Sequence, residues 1–193
     1  ARSVNGRGVV SVLLIGASLS VSILCSLALD LIVLRGATSF DAPPLALLMN
    51  AIAVLQAGVG AIIEWRRPGH AIGRLLMLSG SIFAFLALGW TAGSVLEESV
   101  DPAVYAALDW SVSMLSYPGL AIVAGWLPLL FPTGTLPGPR WRVPVAILLV
   151  TSGAALLALA TRPGPIVEGG RDNPLGVAGW PPSLQSLVDS LLL

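Results

Sequence analysis

Residues 9–34 read VVSVLLIGASLSVSILCSLALDLIVL, an apolar run broken only by Asp30 near its end. It is long enough to cross a hydrocarbon core of roughly 30 Å as a single helix. Four more complete runs follow, at 45–63, 75–96, 104–131 and 143–160. Each of the five is about 18–28 residues long, within the range for one crossing. A sixth opens near Leu184 and is still apolar at Leu193. The pattern predicts an all-α integral membrane protein, a bundle of about six transmembrane helices with the sixth (184–193 and beyond) truncated at the C-terminus. Residues 1–193 then form a single transmembrane domain, and any cytoplasmic output domain lies past Leu193.

Composition points the same way. The chain is 55% hydrophobic and 10% charged, with mean hydropathy +0.88, whereas a soluble domain carries about 25% charge. Zero net charge implies no nucleic-acid surface. All ten basic residues are arginine, a mark of a GC-rich genome. Cys25 has no second cysteine to pair with and suits a small apolar packing role. The first run is too long for the core of a signal peptide.

The arginines set an expected orientation. With a cytoplasmic N-terminus, Arg2, Arg7, Arg66, Arg67, Arg74, Arg140 and Arg142 lie inside, and only Arg35, Arg162 and Arg171 lie outside. Such an excess in short loops is the positive-inside signal. Among the ten acids Glu64 stands alone at the inner side. A multi-pass protein of a bacterial cytoplasmic (inner) membrane is the expected setting.

Three acids fall at a similar shallow depth near the expected outer surface. Asp30 is about five residues from the end of the first run, and Asp109 and Asp189 are each about five residues into theirs, at 1.5 Å rise per residue. They define a candidate outer acidic pocket, Asp30, Asp109 and Asp189, with Trp90, Tyr105 and Trp110 as aromatic walls. Ionisable groups within membrane helices are functional candidates, and such a pocket would take a cation or a cationic amphiphile, or report external pH. The plainer alternative is that the acids reach the headgroup region, where Asp109 and Asp189 also gain from helix N-termini and Asp30 does not.

Other polar positions suit packing. Asn50 and Gln56 lie within the second run, Ser18, Ser22 and Ser26 recur every four residues on the first, and Gly89 and Gly93 form a GxxxG on the third. Such residues let membrane helices approach closely, within the bundle or in a dimer. Pro118, Gly119, Pro128 and Pro132 predict kinks in the fourth run. The loop 161–183 is rich in Pro and Gly and suggests a lid over the outer mouth. No metal-ligand set or nucleophile motif occurs, so the catalytic, cofactor and metal assignments within 1–193 are all empty.

The two expected inner loops carry the most specific text, WRRPGHAIGR at 65–74 and LFPTGTLPGPRWR at 130–142. Pro and Gly set tight turns, while Trp and Arg anchor at the headgroup level. Trp65, Arg66, Arg67, Arg74, Arg140, Trp141 and Arg142 are thus the expected cytoplasmic interface anchors against the lipid bilayer. His70 reads as a loop residue near the headgroups. The series RRPGHAIGRLLMLSG, LFPTGTLPGPRWR and RDNPLGV, in that order, resembles the N-terminal membrane region of actinobacterial-type sensor histidine kinases. That resemblance covers about residues 60–180.

The resemblance implies a membrane-embedded input domain of a two-component system. A signal in the membrane or at its outer face would be coupled to a cytoplasmic autokinase (a phosphotransferase). The phosphoacceptor His, ATP and Mg would belong to the part beyond Leu193, and a homodimer and a cytoplasmic response regulator are the implied partners. Two rivals stand beside it: a small transporter or channel subunit, and a non-catalytic membrane partner protein.

Overall fold

A computed structural model describes residues 6–34, 43–96, 99–165, 172–183 and 185–186. The described residues are almost all helical, in the order α1 (Gly6–Leu34), α2 (Pro43–Arg66), α3 (Ala71–Leu96), α4 (Pro102–Leu120), a π-helical segment (Ala121–Trp126), α5 (Leu127–Leu130), a 3-10 turn (Pro139–Trp141) and α6 (Arg142–Thr161). Five spans are long and apolar enough to cross a membrane: 8–33, 47–66, 71–93, 102–130 and 139–161. The fourth joins α4, the π segment and α5. Apart from 185–186, the expected sixth helix at 184–193 lies outside the described residues.

The spans extend past the expected ends for local reasons. Trp65 and Arg66 complete the last turn of α2, and Arg74 sits in the first turn of α3. The connecting turn is therefore only Arg67–His70, closed by Gly69 at φ 89°, a left-handed conformation suited to glycine. The α4 start is fixed by Asp101, whose carboxylate accepts the Ala103 N–H at 2.8 Å, with Pro102 in the first helical turn.

Helices α1, α2 and α3 pack as a three-helix unit, and α3 also carries α4. Their buried positions recur at three- and four-residue steps: Ser22, Cys25 and Leu29 on α1, with Ser11 three turns before them; Asn50, Ala53, Ala57, Ala61 and Glu64 on α2; Gly73, Met77, Gly80, Ala84, Ala87 and Thr91 on α3. That spacing gives each helix one inward stripe. The stripes are made of small residues, so backbones come close. A Cβ on Gly60 would lie 2.6 Å from the Gly73 carbonyl oxygen, and one on Gly80 would lie 2.6 Å from that of Ala53. Where lipid tails match the side chains in polarity, close packing of this kind is the main attraction between helices.

Hydroxyls cross the interfaces. The Ser18 Oγ donates to the Met77 carbonyl at 3.1 Å and lies 2.9 Å from the Ser81 Oγ, and Ser26 donates to Asn50 Oδ1 at 3.1 Å. The serine stripe of α1 thus faces both α3 and α2. Gly89 and Gly93 turn to α4: added Cβ atoms would meet Val112 at 2.7 Å and the Tyr105 hydroxyl at 3.4 Å. The GxxxG pair serves a contact within the chain.

In the fourth span the Leu127 N–H bonds to the Ile122 carbonyl, the five-residue step of a π turn. The segment lies between Pro118 within α4 and Pro128 within α5. Each proline lacks an N–H, and the wider turn re-pairs the neighbouring backbone. Apolar side chains cover the outer surfaces, including Leu13, Leu24, Leu55 and Val150, each at least 66% exposed. Helix α6 touches the rest chiefly through α4 and is the least buried span.

The segment after α6 folds back on its end. The Asn173 amide Nδ2 donates to the carbonyls of Leu159, Ala160 and Arg162 at 2.9–3.2 Å, and its Oδ1 accepts the Leu175 N–H at 2.9 Å. One side chain so satisfies carbonyls that a helix end leaves open. The conspicuous RDNPLGV stretch has this structural role, and its described residues return to α6.

Candidate functional site

At the end away from the Arg-rich turns, α3 and α4 together line a cavity of about 260 Å³. The small Gly89 and Gly93 on α3 make room, and Trp90, Tyr105, Leu108 and Asp109 stand around it. Of the six residues expected in an outer acidic pocket, the structure brings together Trp90, Tyr105 and Asp109. Tyr105 and Asp109 are one helical turn apart on α4 and so share a face. Trp110 lies beside Asp109 on α4, half-buried and outside the cavity wall. Asp30 is exposed on α1, also away from it. Asp189 lies outside the described residues. Among the described residues the cavity is mostly apolar with one carboxylate, Asp109, the make-up of a site for an apolar or amphiphilic molecule with a polar or cationic group.

The opposite end is organised by a residue that the sequence reading set aside. Glu64 is fully buried. Its Oε1 accepts from the Ser11 hydroxyl at 2.6 Å, the Gly69 N–H at 2.9 Å, and Arg74 Nε and Nη2 at 3.2 Å each. One carboxylate oxygen therefore joins α1, the α2–α3 turn and α3. Arg74 keeps 42% of its side chain exposed, so its charge is only partly withdrawn from solvent. The Glu64 Oε2 is buried and has no partner. A cavity of about 180 Å³ adjoins the cluster, walled by Ser11, Val12, Ile15, Glu64, Trp65 and Pro68.

The expected anchors take different places around this cluster. Trp65 is 71% exposed, while Arg66, Arg67, Arg140, Trp141 and Arg142 are exposed at the same end. Arg74, in contrast, is engaged by Glu64. His70 does more than face outward. It precedes α3, its carbonyl accepts the Arg74 N–H at 3.2 Å, and its ring lies against the second Arg-rich loop. A Cβ on Gly134 would sit 3.0 Å from His70 Cε1, and Gly134 also has φ 76°. Glycine there meets both demands and docks the two loops.

Among the described residues no three His, Cys, Asp or Glu side chains gather to hold a metal ion. Glu64 was legible only as a lone acid in a basic turn. The signal that would have found its role is an acid and an arginine flanking a Pro-Gly turn, with Ser11 on the inward stripe of α1. Comparison of the chain with protein-family models, with curated proteins and with solved structures finds no match.

Proposed function

We propose that the chain is the membrane-embedded input module of a bacterial sensor histidine kinase, with the Arg-rich turns in the cytoplasm and the α3–α4 cavity open towards the outer leaflet. In this reading the cavity takes up an amphiphile or apolar molecule with a polar or cationic group near Asp109. The observation that carries it is the joining of Trp90, Tyr105 and Asp109 around one apolar cavity. The walls of that cavity continue into the π segment on one side and into the Glu64–Arg74 cluster, through α3, on the other.

The mechanism follows from those connections. Filling the cavity favours whichever spacing of α3 and α4 fits the ligand, by as much as the ligand's affinities for the two spacings differ. The π turn, with its weaker backbone pairing, is where α4 yields most easily. Helix α3 is held to α1 and α2 along its length, so the displacement falls mainly on α4, α5 and the second Arg-rich loop. Membrane insertion itself is supported by the five apolar spans and by the exposed aliphatic surface, of the kind that a hydrocarbon setting covers.

The test starts with the gene. The reading frame past codon 193 is expected to encode a cytoplasmic helix with a phosphoacceptor His and then a Gly-rich ATP-binding domain. A stop codon soon after the sixth apolar run would overturn the kinase reading. With the full protein in lipid nanodiscs, Asp109→Asn and Trp90→Ala are expected to change the stimulated autophosphorylation rate by about tenfold, as expected for about 1.4 kcal/mol. Asp30→Asn is expected to leave it unaltered, and an equal effect of all three would remove the cavity from the mechanism.

A further inference from the structure

A third cavity, of about 350 Å³, lies at the Arg-rich end between α2, His70 and the start of the second loop. Its wall has two chemistries. Ile62, Ile63, Ile72, Phe131 and Pro132 make an apolar side. Arg66, Arg67 and His70 make the other, and among the described residues no carboxylate lines it. The one acid described nearby, Glu64, has its bonded oxygen committed to Ser11, Gly69 and Arg74. Arg66 and Arg67 form no ion pair among the described residues. The His70 Nδ1 is buried and has no hydrogen-bond partner among the described residues.

The backbone builds this grouping. The turn with Gly69 at φ 89° reverses the chain directly after Arg66 and Arg67 and returns His70 beside them. Gly134 then lets the second loop close on the imidazole. Two arginines and a histidine lining one cavity suit a phosphate, which takes N–H donors on several oxygens. The apolar half suits an acyl chain. Basic pockets at helix ends are the usual seats of acidic lipid headgroups.

We propose that this cavity is a site for an acidic glycerophospholipid, with the headgroup phosphate at Arg66, Arg67 and His70 and an acyl chain along Ile62, Ile63 and Phe131. The bound lipid bridges the two Arg-rich loops. The proposal needs the chain to sit in a bilayer but is independent of any kinase: it stands or falls with lipid binding alone.

The test uses the full chain in phosphatidylcholine nanodiscs doped with fluorescent phosphatidylglycerol, with energy transfer from the native tryptophans as the readout. Wild type is expected to show saturable binding, and Arg66→Gln/Arg67→Gln to weaken it by tenfold or more. Arg140→Gln/Arg142→Gln removes the same charge at the same end but outside the cavity, and is expected to change binding less than twofold. Equal losses in both double variants would mean diffuse surface attraction and overturn the site. Arg66→Lys/Arg67→Lys keeps charge without the fork and is expected to fall between wild type and the Gln pair; full retention would contradict phosphate recognition by the guanidiniums. Millimolar inorganic phosphate is expected not to displace the lipid. Displacement would assign the site to a free phosphate instead and overturn the lipid proposal.

Discussion

Glu64 shows how much a single residue can decide without advertising it. Its carboxylate is fully buried, whereas Arg74 reaches solvent, so the two halves of the pair are unequal. Arg74→Ala strands a buried charge and is expected to cost about 3–5 kcal/mol. Glu64→Gln leaves an arginine that can rehydrate and keeps an acceptor for Ser11 and Gly69; its expected cost is about 1–3 kcal/mol. The double variant should cost less than the sum, because the stranded charge is gone. Denaturant unfolding in detergent gives all three values, and strict additivity would deny the coupling. At the same scale, Asn173→Ala should lower amide-exchange protection at Leu175 and Val177, while Asn173→Asp keeps the acceptor for Leu175 but turns a carboxylate on three carbonyls, and should lower protection at Val177 further. These roles were hidden in the sequence because the partners are distant: Ser11 and Glu64 are 53 positions apart. The Asp30 expectation illustrates the complementary gap. Depth along a helix is readable from residue count, but facing is not. The Ser18–Ser22–Ser26 series continues to Asp30, yet each four-residue step overshoots a full turn by about 40°. By Asp30 the series has rotated off the buried stripe, and the side chain is exposed on α1.

At the scale of elements, the apolar runs were legible because a span is written in composition and length. Their ends were not, since Trp65, Arg66 and Arg74 look like loop residues until the helices are seen to run through them and the Glu64–Arg74 ion pair to join them. The chief helix contact was not legible: the sequence marks Gly89 and Gly93 as a GxxxG, whereas the closest backbones belong to α2 and α3 through Gly60, Gly73 and Gly80. No GxxxG marks them, because the small positions are shared between two helices. A Cβ on Gly80 would meet the Ala53 oxygen and Ala57 nitrogen, both at 2.6 Å and both backbone, which cannot swing aside. Gly80→Ala is therefore expected to separate α2 from α3 and destabilise by about 1–3 kcal/mol. Gly16→Ala, with nothing within 4 Å of the added carbon, is expected to be neutral or stabilising. Thermal unfolding of the two variants side by side distinguishes them, and equal shifts would refute the close α2–α3 contact.

For the whole molecule, the structure divides labour between its ends. One end has an apolar cavity with Asp109 in its wall, the other a clamped set of charged turns, and α3 runs between them in contact with α1, α2 and α4. The input reading depends on which end faces the cytoplasm, and seven arginines against three make that a definite expectation. The native chain makes the measurement simple, since its one cysteine, Cys25, is buried among small residues. In a Cys25→Ala background, Pro137→Cys places a thiol in the second Arg-rich loop and Ala178→Cys one in the turn beyond α6, both at exposed positions. Labelling with a membrane-impermeant maleimide is expected to reach the second thiol in intact cells and the first only after lysis. The reverse pattern, or labelling of both thiols in intact cells, would contradict the account.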